Sequence, residues 1–246
     1  MQKNKSALTI IFLTVFIDLV GFGIIIPLSP YLAKTYGATP FEVGLLMAIY
    51  SLAQFIFSPI WGRLSDRIGR RPVILISLFG TGIAHLIFAW STTLEMLFIS
   101  RAFAGIAGGN LSAAMAYVAD VTGTKDRSKG MGMIGAAFGL GFILGPVLGG
   151  ILGELGGRIS EAPPFGVGFP ALGAAILCLA NFAVATRVLT ESLPPEKRNK
   201  KVGSESRFER ITEYFRRPVI GPLLLISFLS IFAFAQMEAV LFLLVH

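Results

Sequence analysis

Apolar residues occur along the chain in seven long runs that short polar stretches separate. About twenty apolar residues let an α-helix cross the roughly 30 Å hydrocarbon layer of a bilayer. A strand of a membrane barrel needs only about ten residues, and a helix satisfies its own backbone hydrogen bonds in lipid. The pattern therefore predicts seven membrane helices, and the glycines and prolines within them are tolerated there. The runs cover approximately residues 7–29, 43–61, 73–91, 95–118, 131–153, 169–189 and 219–244.

The composition agrees with a membrane protein. Of the 246 residues, 54% are hydrophobic and 14% are charged, whereas soluble domains carry about 25% charged residues. The mean hydropathy is +0.74. The single cysteine, Cys178, lies inside an apolar run and excludes a disulfide within this chain. We therefore predict an all-α integral membrane protein without a separate soluble domain.

Lysine and arginine are concentrated in alternate connections between the apolar runs. Lys34 and Arg158 are the only basic residues in the remaining connections, and Arg101 lies inside a run. Cytoplasmic loops of membrane proteins are enriched in these residues, so the pattern predicts a multi-pass protein with a cytoplasmic N-terminus. The compact loops and the absence of eukaryotic sorting signals suggest the inner (plasma) membrane of a bacterium. The net charge of +7 then reflects orientation and not nucleic-acid binding. The basic segments are the N-terminus with two such residues, 62–72 with four, 119–130 with three and 187–217 with nine.

The connection after the second run carries a specific motif, Gly-Arg-Leu-Ser-Asp-Arg-Ile-Gly-Arg-Arg at residues 62–71. Glycine at 62 allows another helix to approach, Asp66 is suited to the positive end of a helix, and Gly69 supplies a tight turn. A generic basic loop would account for the arginines but not for the Gly–Asp–Gly spacing. The motif resembles the major facilitator signature G-x-L-(A/S)-D-R-x-G-R-(R/K), which lies between helices two and three.

The resemblance implies a role for this loop in the conformational switch of a transporter, where it latches one half of the molecule against the other. Asp120, at the end of the fourth run, is the expected partner of Arg70. The residues implied are Gly62, Asp66, Arg67, Gly69, Arg70, Arg71 and Asp120.

The fifth run contains a periodic set of glycines. Residues 141, 145, 149 and 153 are glycines four apart, which form one smooth helix face and permit close packing. Pro146 removes one backbone hydrogen bond and is expected to bend the helix. The run resembles the family's antiporter signature g-x-x-x-G-P-x-x-G-G, which marks exporters, whereas a plain helix-pairing motif explains the glycines alone. The signature falls on Gly141, Gly145, Pro146, Gly149 and Gly150.

Two charged residues lie within apolar runs. A charge in the bilayer costs at least about 2.5–3.5 kcal/mol on insertion scales, which makes Asp18 and Arg101 candidate functional residues. The pattern D-x-x-G-x-G-x-x-x-P-x-x-P that begins at Asp18 resembles the first helix of drug–proton antiporters, closest to the tetracycline-efflux branch. The resemblance implies proton exchange at Asp18 with help from Arg101. A permanent Asp18–Arg101 pair, or an Arg101 side chain that reaches the membrane surface, is the structural alternative.

Gln54 and His85 are further candidates for the wall of a substrate cavity. Alignment through the Gly-Arg-Arg-Pro sequence places Ala84 where tetracycline exporters carry a substrate-linked acid, so the resemblance does not extend to that residue. His85 follows it and titrates near neutral pH in ordinary surroundings. A histidine that is simply packed within the helix bundle is the alternative.

The expected architecture is a major facilitator fold limited to its N-terminal six-helix bundle. Two inverted three-helix repeats would form residues 1–189, a cytoplasmic linker would follow over 190–218, and a seventh helix would begin a second bundle over 219–246. In the linker, Phe208, Ile211 and Phe215 have helical spacing and predict an amphipathic segment at the membrane face, with a disordered tether as the alternative. We expect the chain to be a fragment or a truncated product that lacks a C-terminal six-helix half.

The sequence thus predicts a secondary transporter that exports amphiphilic, drug-like compounds in exchange for protons. The chain has no phosphate-binding loop for ATP and no zinc-ligand spacing, so we predict no enzymatic activity, no cofactor and no metal site. Its expected partners are a small-molecule substrate, protons, the lipid bilayer and the missing half. An uptake symporter of the same fold and a truncated, non-transporting remnant are the alternatives.

Overall fold

The computed structural model describes residues 2–124, 126–198, 215 and 217–244. Regular structure in this part of the chain is helical, with no strand, which confirms the predicted all-α class. The described residues form eight α-helices: α1 Gln2–Thr35, α2 Pro40–Ile68, α3 Arg70–Ala89, α4 Leu94–Ala107, α5 Leu111–Val121, α6 Arg127–Ile159, α7 Phe169–Val188 and α8 Ile220–Leu244.

Six stretches within the described residues are long and apolar enough to cross a membrane. They correspond to the first six predicted runs, so the chain is a multi-pass membrane protein. Helices α1, α2 and α3 form the first three spans, and α6 and α7 form the fifth and sixth. The fourth span, Leu94–Val121, is interrupted: α4 and α5 are separated by a turn of 3₁₀ helix at Gly108–Asn110.

Local sequence determines where the second span begins and ends. The Thr39 hydroxyl accepts a hydrogen bond from the Glu42 amide at 3.3 Å, and the Glu42 carboxylate accepts one from the Thr39 amide at 2.7 Å. This reciprocal capping satisfies backbone donors that a helix start leaves free, and Pro40 is suited to the first helical position. At the other end Gly69 has φ +109°, a conformation that favours glycine, and the chain there turns directly into α3.

The packing of the six spans has an internal symmetry. The first span packs against the fifth and sixth, the fourth packs against the second and third, and the third packs against the sixth. If spans one, two and three are exchanged with spans four, five and six, the pairs of the first span become the pairs of the fourth, and the third–sixth pair is unchanged. Because each repeat has an odd number of spans, the two repeats cross the membrane in opposite directions. The packing agrees with the predicted pair of inverted repeats.

Two hydrophobic clusters form the core of the bundle. One includes Ile11, Ile74 and Tyr117 and lies towards the N-terminal end of α1. The other includes Ile25 and Phe88 and lies towards the opposite end of the same spans. Residues between the two clusters in sequence, such as those around 18 in α1 and 81–85 in α3, are therefore placed at mid-depth of the bundle.

Residues 1–198 form one compact unit, and residues 199–246, which include α8, form a second. The first residues after α7 thus pack with the bundle. The predicted amphipathic segment is centred on Phe208 and Ile211, which lie outside the described residues.

Candidate functional site

A cavity lies at mid-depth of the six-span bundle, between the two hydrophobic clusters. It contains about 670 Å³ of empty space, part of it open to the outside. The predicted residues Asp18, Gln54 and His85 meet at this cavity although they come from three different spans. Its full lining is Val15, Asp18, Leu19, Phe22, Tyr50, Gln54, Thr81, His85, Ala104, Gly108, Leu111 and Phe138.

Arg101 lies behind the aromatic part of this lining. Its guanidinium carbon is 4.5 Å from the centre of the Tyr50 ring and 5.9 Å from that of Phe22. The residue is only 2% exposed, so its side chain is held inside the bundle and does not reach the surface. Cation–π contacts of this kind stabilise a charge that water no longer solvates. The sequence indicated the buried arginine, but it did not indicate the two rings.

Three spans meet beside Asp18. Its carboxylate oxygen Oδ1 lies 3.9 Å from Sγ of Cys178 in α7. A methyl group at Gly21, one turn further along α1, would lie 3.0 Å from the same sulfur and 3.6 Å from Nε2 of His85 in α3. His85 is 2% exposed, and Nε2 has no hydrogen-bond partner among the described residues. Nothing in the sequence indicated that Cys178 is a neighbour of Asp18.

Gln54 connects the cavity wall to the interruption of the fourth span. Its side-chain nitrogen Nε2 donates to the Gly108 carbonyl at 2.9 Å and to the Tyr50 hydroxyl at 3.2 Å. These partners were not predicted, although the Gly108–Gly109 pair was a visible sign of an irregular helix.

The glycine face of α6 packs closely against another helix, as the periodicity predicted, and the structure identifies that helix as α1. A methyl group at Gly145 would lie 2.5 Å from the Gly23 carbonyl carbon, and one at Gly141 would lie 2.8 Å from Cβ of Leu19. The backbones approach so closely that any side chain at these two positions would collide with α1.

The other signature residues of α6 make looser contacts or none. At Gly149 the nearest atom to an added methyl, the Ile24 carbonyl oxygen, is 3.5 Å away, which is ordinary contact. At Gly150 no atom lies within 4 Å, and Pro146 is exposed. The tight part of the signature is therefore limited to Gly141 and Gly145.

Arg70 is the centre of a charged cluster at the junction of α2 and α3. Its guanidinium group pairs with Asp66 at 2.6 Å and with Asp120 at 3.2 Å, and it donates to the Ser65 hydroxyl at 2.7 Å. The Asp120 contact predicted from the sequence is present, so the cluster joins the second, third and fourth spans.

The expectation of close helix packing at Gly62 was wrong. The nearest atom to an added methyl there is Oγ of Ser112 at 3.6 Å, which leaves ordinary van der Waals space. Arg67 of the same motif is exposed to the surroundings. The tight packing in this loop occurs instead at Gly69, where an added methyl would overlap the Glu191 carboxylate.

The segment after α7 completes the cluster, and this contribution was not predicted from the sequence. The Glu191 carboxylate accepts a hydrogen bond from the Arg70 backbone amide at 2.9 Å and lies 3.5 Å from the Arg198 guanidinium. Ser192 donates to Asp120 at 3.0 Å, and Arg71 donates to the Thr186 carbonyl at 2.6 Å. The start of the linker is thereby attached to the predicted latch loop. A glutamate that follows a membrane span was the available signal.

A bundle of symmetric apolar spans with buried charges at a central cavity defines a polytopic carrier fold of the membrane. The sequence model of the Major Facilitator Superfamily matches residues 11–246, and the chain belongs to this superfamily.

Similar proteins include drug-resistance transporters. The chain is 35% identical over 242 residues to the tetracycline resistance protein, class B, of Escherichia coli. This alignment covers 97% of this chain and 56% of that protein. It is 35% identical over 244 residues to multidrug resistance protein 1 of Bacillus subtilis (strain 168), which covers 97% of this chain and 58% of that protein. The chain thus spans about half the length of the curated relatives it matches.

A solved structure has the same arrangement. The human organic anion transporter MFSD10 (TETRAN) is 29% identical, with a TM-score of 0.69 over 79% of this chain and 50% of that one. The superposition supports the predicted correspondence of this bundle to one half of a major facilitator transporter.

Proposed function

We propose that this chain forms the N-terminal bundle of a proton-driven exporter of amphiphilic compounds. The proposed location is the inner membrane, with the N-terminus in the cytoplasm. The observation that carries the proposal is the mid-depth cavity, where the Asp18 carboxylate lies 3.9 Å from Cys178 of the sixth span and Arg101 is buried behind the wall. Acidic and basic side chains inside a membrane protein generally belong to an ion or substrate pathway.

Asp18 is the proposed proton carrier. It is the only carboxylate among the described residues that line the cavity. Protonation would neutralise it, while Arg101 keeps a fixed positive charge on the far side of Tyr50 and Phe22. The cavity would then carry a different charge when Asp18 is protonated and when it is ionised. A bound proton would thereby weaken substrate binding, and bound substrate would weaken proton binding.

The cavity walls match an amphiphilic substrate. Phe22, Tyr50 and Phe138 supply aromatic surface, and Gln54 and Thr81 supply hydrogen-bonding groups. Such a mixture of apolar surface and a few polar groups is typical of small-molecule sites. The names of the relatives, tetracycline resistance and multidrug resistance proteins, support compounds of this kind as cargo. The protein would act as a carrier without enzymatic chemistry.

The Arg70 cluster and the glycine face of α6 have proposed roles in the conformational cycle. The cluster ties α2, α3 and the end of α5 to the start of the linker, so its rupture would free the bundle to rock. The close α1–α6 contact at Gly145 keeps the first and fifth spans together during that motion. The antiporter signature in α6 favours export over uptake.

The test uses the full-length chain in inside-out membrane vesicles, with tetracycline as the probe and an imposed pH gradient. Asp18→Asn keeps the size of the side chain but cannot release a proton, so proton-driven tetracycline accumulation should be lost. Asp18→Glu, the matched control, should retain part of it. Accumulation by Asp18→Asn that equals the unmodified protein and still follows the pH gradient would show that Asp18 is not the proton carrier.

A further inference from the structure

Side chains from two other spans bind the carbonyl groups at the interruption of the fourth span. Nε1 of Trp61 donates to the Ile106 carbonyl at 2.5 Å, the Ser77 hydroxyl donates to the Ala107 carbonyl, and Nε2 of Gln54 donates to the Gly108 carbonyl at 2.9 Å. In a continuous α-helix each carbonyl accepts from the amide four residues later. These side chains supply donors where the helix changes to a 3₁₀ turn, and so they stabilise the interrupted form.

Gln54 differs from the other two donors because it lines the cavity. Its amide nitrogen carries two hydrogens, and both nitrogen bonds are directed within the bundle, to Gly108 and to the Tyr50 hydroxyl. A compound in the cavity that accepts a hydrogen bond from this nitrogen must therefore displace one of the two partners.

The part of the fourth span that contains Gly108, the acceptor of the Gln54 hydrogen bond, is closely packed. A methyl group at Gly108 would lie 2.9 Å from the Tyr50 hydroxyl, and one at Gly109 would lie 3.1 Å from the Ser58 backbone. The interrupted segment thus packs directly on α2. If Gln54 leaves, the Gly108 carbonyl loses a donor in a buried place, which is unfavourable. The donor that an uninterrupted helix supplies is the Ser112 amide.

We propose that Gln54 is a positioning residue that couples occupancy of the cavity to the bend of the fourth span. An occupant that takes over the hydrogen bond which Gln54 gives to Gly108 releases that carbonyl and favours a continuous helix. The inference rests on the proposed function only in that the natural occupant is the transported compound.

The Gly108 carbonyl can be observed directly by nuclear magnetic resonance. The protein is labelled with glycine that carries ¹³C at its carbonyl carbon and ¹⁵N at its amide nitrogen. A labelled carbonyl carbon is then bonded to a labelled nitrogen only where two glycines follow each other. This chain has three such pairs: 108–109, 149–150 and 156–157. The variants Gly150→Ala and Gly157→Ala assign the other two pairs, because no atom lies within 4 Å of a methyl group added at either position.

An occupant can be introduced without knowledge of the natural cargo. Phe138 lines the cavity and is partly exposed, so Phe138→Cys in a Cys178→Ser background of the full chain can be labelled with N-ethylmaleimide, which carries carbonyl acceptors. Labelling should shift the Gly108 carbonyl resonance, because the donor to this carbonyl changes from the Gln54 side chain to the Ser112 amide. Gln54→Met, which has similar length and no donor, should show the shifted position before labelling and no further change.

The control is Ser77→Ala, which removes the donor to the neighbouring Ala107 carbonyl without altering the cavity lining. It should keep the response of Gly108 to labelling. Gln54→Leu is a second variant in case Gln54→Met does not fold. The proposal is overturned if labelling leaves the Gly108 resonance unchanged. It is also overturned if labelling shifts this resonance equally in the Gln54 variants and in the protein that keeps Gln54. Since the measurement needs neither cargo nor a proton gradient, a failure of tetracycline export would count only against the proposed function.

Discussion

Replacement of Gly145 by alanine tests whether the α1–α6 interface depends on direct backbone contact. The added methyl would lie 2.5 Å from the Gly23 carbonyl carbon and 2.6 Å from its Cα. Carbon atoms in contact are about 3.5–4.0 Å apart, so α1 and α6 must separate locally by about 1 Å. The atoms in the way belong to backbone, which cannot rotate aside as a side chain can.

The free energy follows from two opposing contributions. Overpacking of a well-packed interior costs about 1–3 kcal/mol, while alanine gains about 0.8–1.0 kcal/mol over glycine inside a helix. Gly145→Ala should therefore lower the free energy of unfolding by up to about 2 kcal/mol. Gly150→Ala makes the same chemical change five residues later with no atom within 4 Å, so it should be neutral or slightly stabilising.

The assay compares reversible unfolding of the two variants and the unmodified protein in detergent, followed by circular dichroism during a denaturant titration. Gly149→Ala, whose methyl would make only an ordinary contact at 3.5 Å, should behave like Gly150→Ala. Equal stabilities of Gly145→Ala and Gly150→Ala would refute the packing argument, because the two sites share helix, residue type and substitution and differ in the approach of α1.

Three further predictions concern the charged cluster and the buried arginine. Gly69→Ala should destabilise the bundle by about 1–3 kcal/mol, because its φ of +109° and ψ of 160° belong to a backbone region that only glycine readily adopts. Gly62→Ala, whose methyl would lie 3.6 Å from the nearest atom, is the control, and equal stabilities of the two variants in thermal unfolding would contradict the prediction. Glu191→Gln should speed proteolysis of the segment after α7, because the Arg70 amide and Arg198 lose an ionised acceptor; unchanged cleavage would show that the cluster does not hold this segment. Arg101→Lys keeps the positive charge but removes the planar guanidinium group, whose carbon lies 4.5 Å from the centre of the Tyr50 ring. Tetracycline export in vesicles should therefore fall, while expression and helix content stay the same. Undiminished export would show that the charge alone suffices.

The span pattern was predictable because membrane length and hydropathy act on each helix separately. The runs around residues 7–29 and 73–91 needed no knowledge of tertiary contacts, and neither did the glycine face of α6, since a helical period places residues 141 and 145 on one side. The Arg70–Asp120 contact was also foreseen, although from the resemblance to a family and not from the spacing of the two residues.

The cavity could be predicted only in part. Asp18 and Arg101 were visible as charges within apolar runs, because their cost is a property of the single residue. Tyr50, Phe22 and Cys178 were not, because an aromatic or thiol side chain in a membrane helix is unremarkable until a partner from another span is known. Glu191 was missed for a similar reason, since its partner Arg70 lies 121 positions away in the chain.

The fourth span links the two sites that the sequence suggested separately. Arg101 lies in α4 at the cavity wall, and Asp120 lies at the end of α5, where it binds Arg70. The interruption at Gly108–Asn110 lies between them, so a change of bend there must alter the position of Asp120 relative to Arg101. A large movement would break favourable contacts at both charges. The Arg101 guanidinium would lose its aromatic rings, and Asp120 would lose its contacts with Arg70 and Ser192. We therefore expect a continuous fourth span to strain the Arg70 cluster whenever the cavity geometry is kept, which would connect the cavity to the proposed latch within one helix.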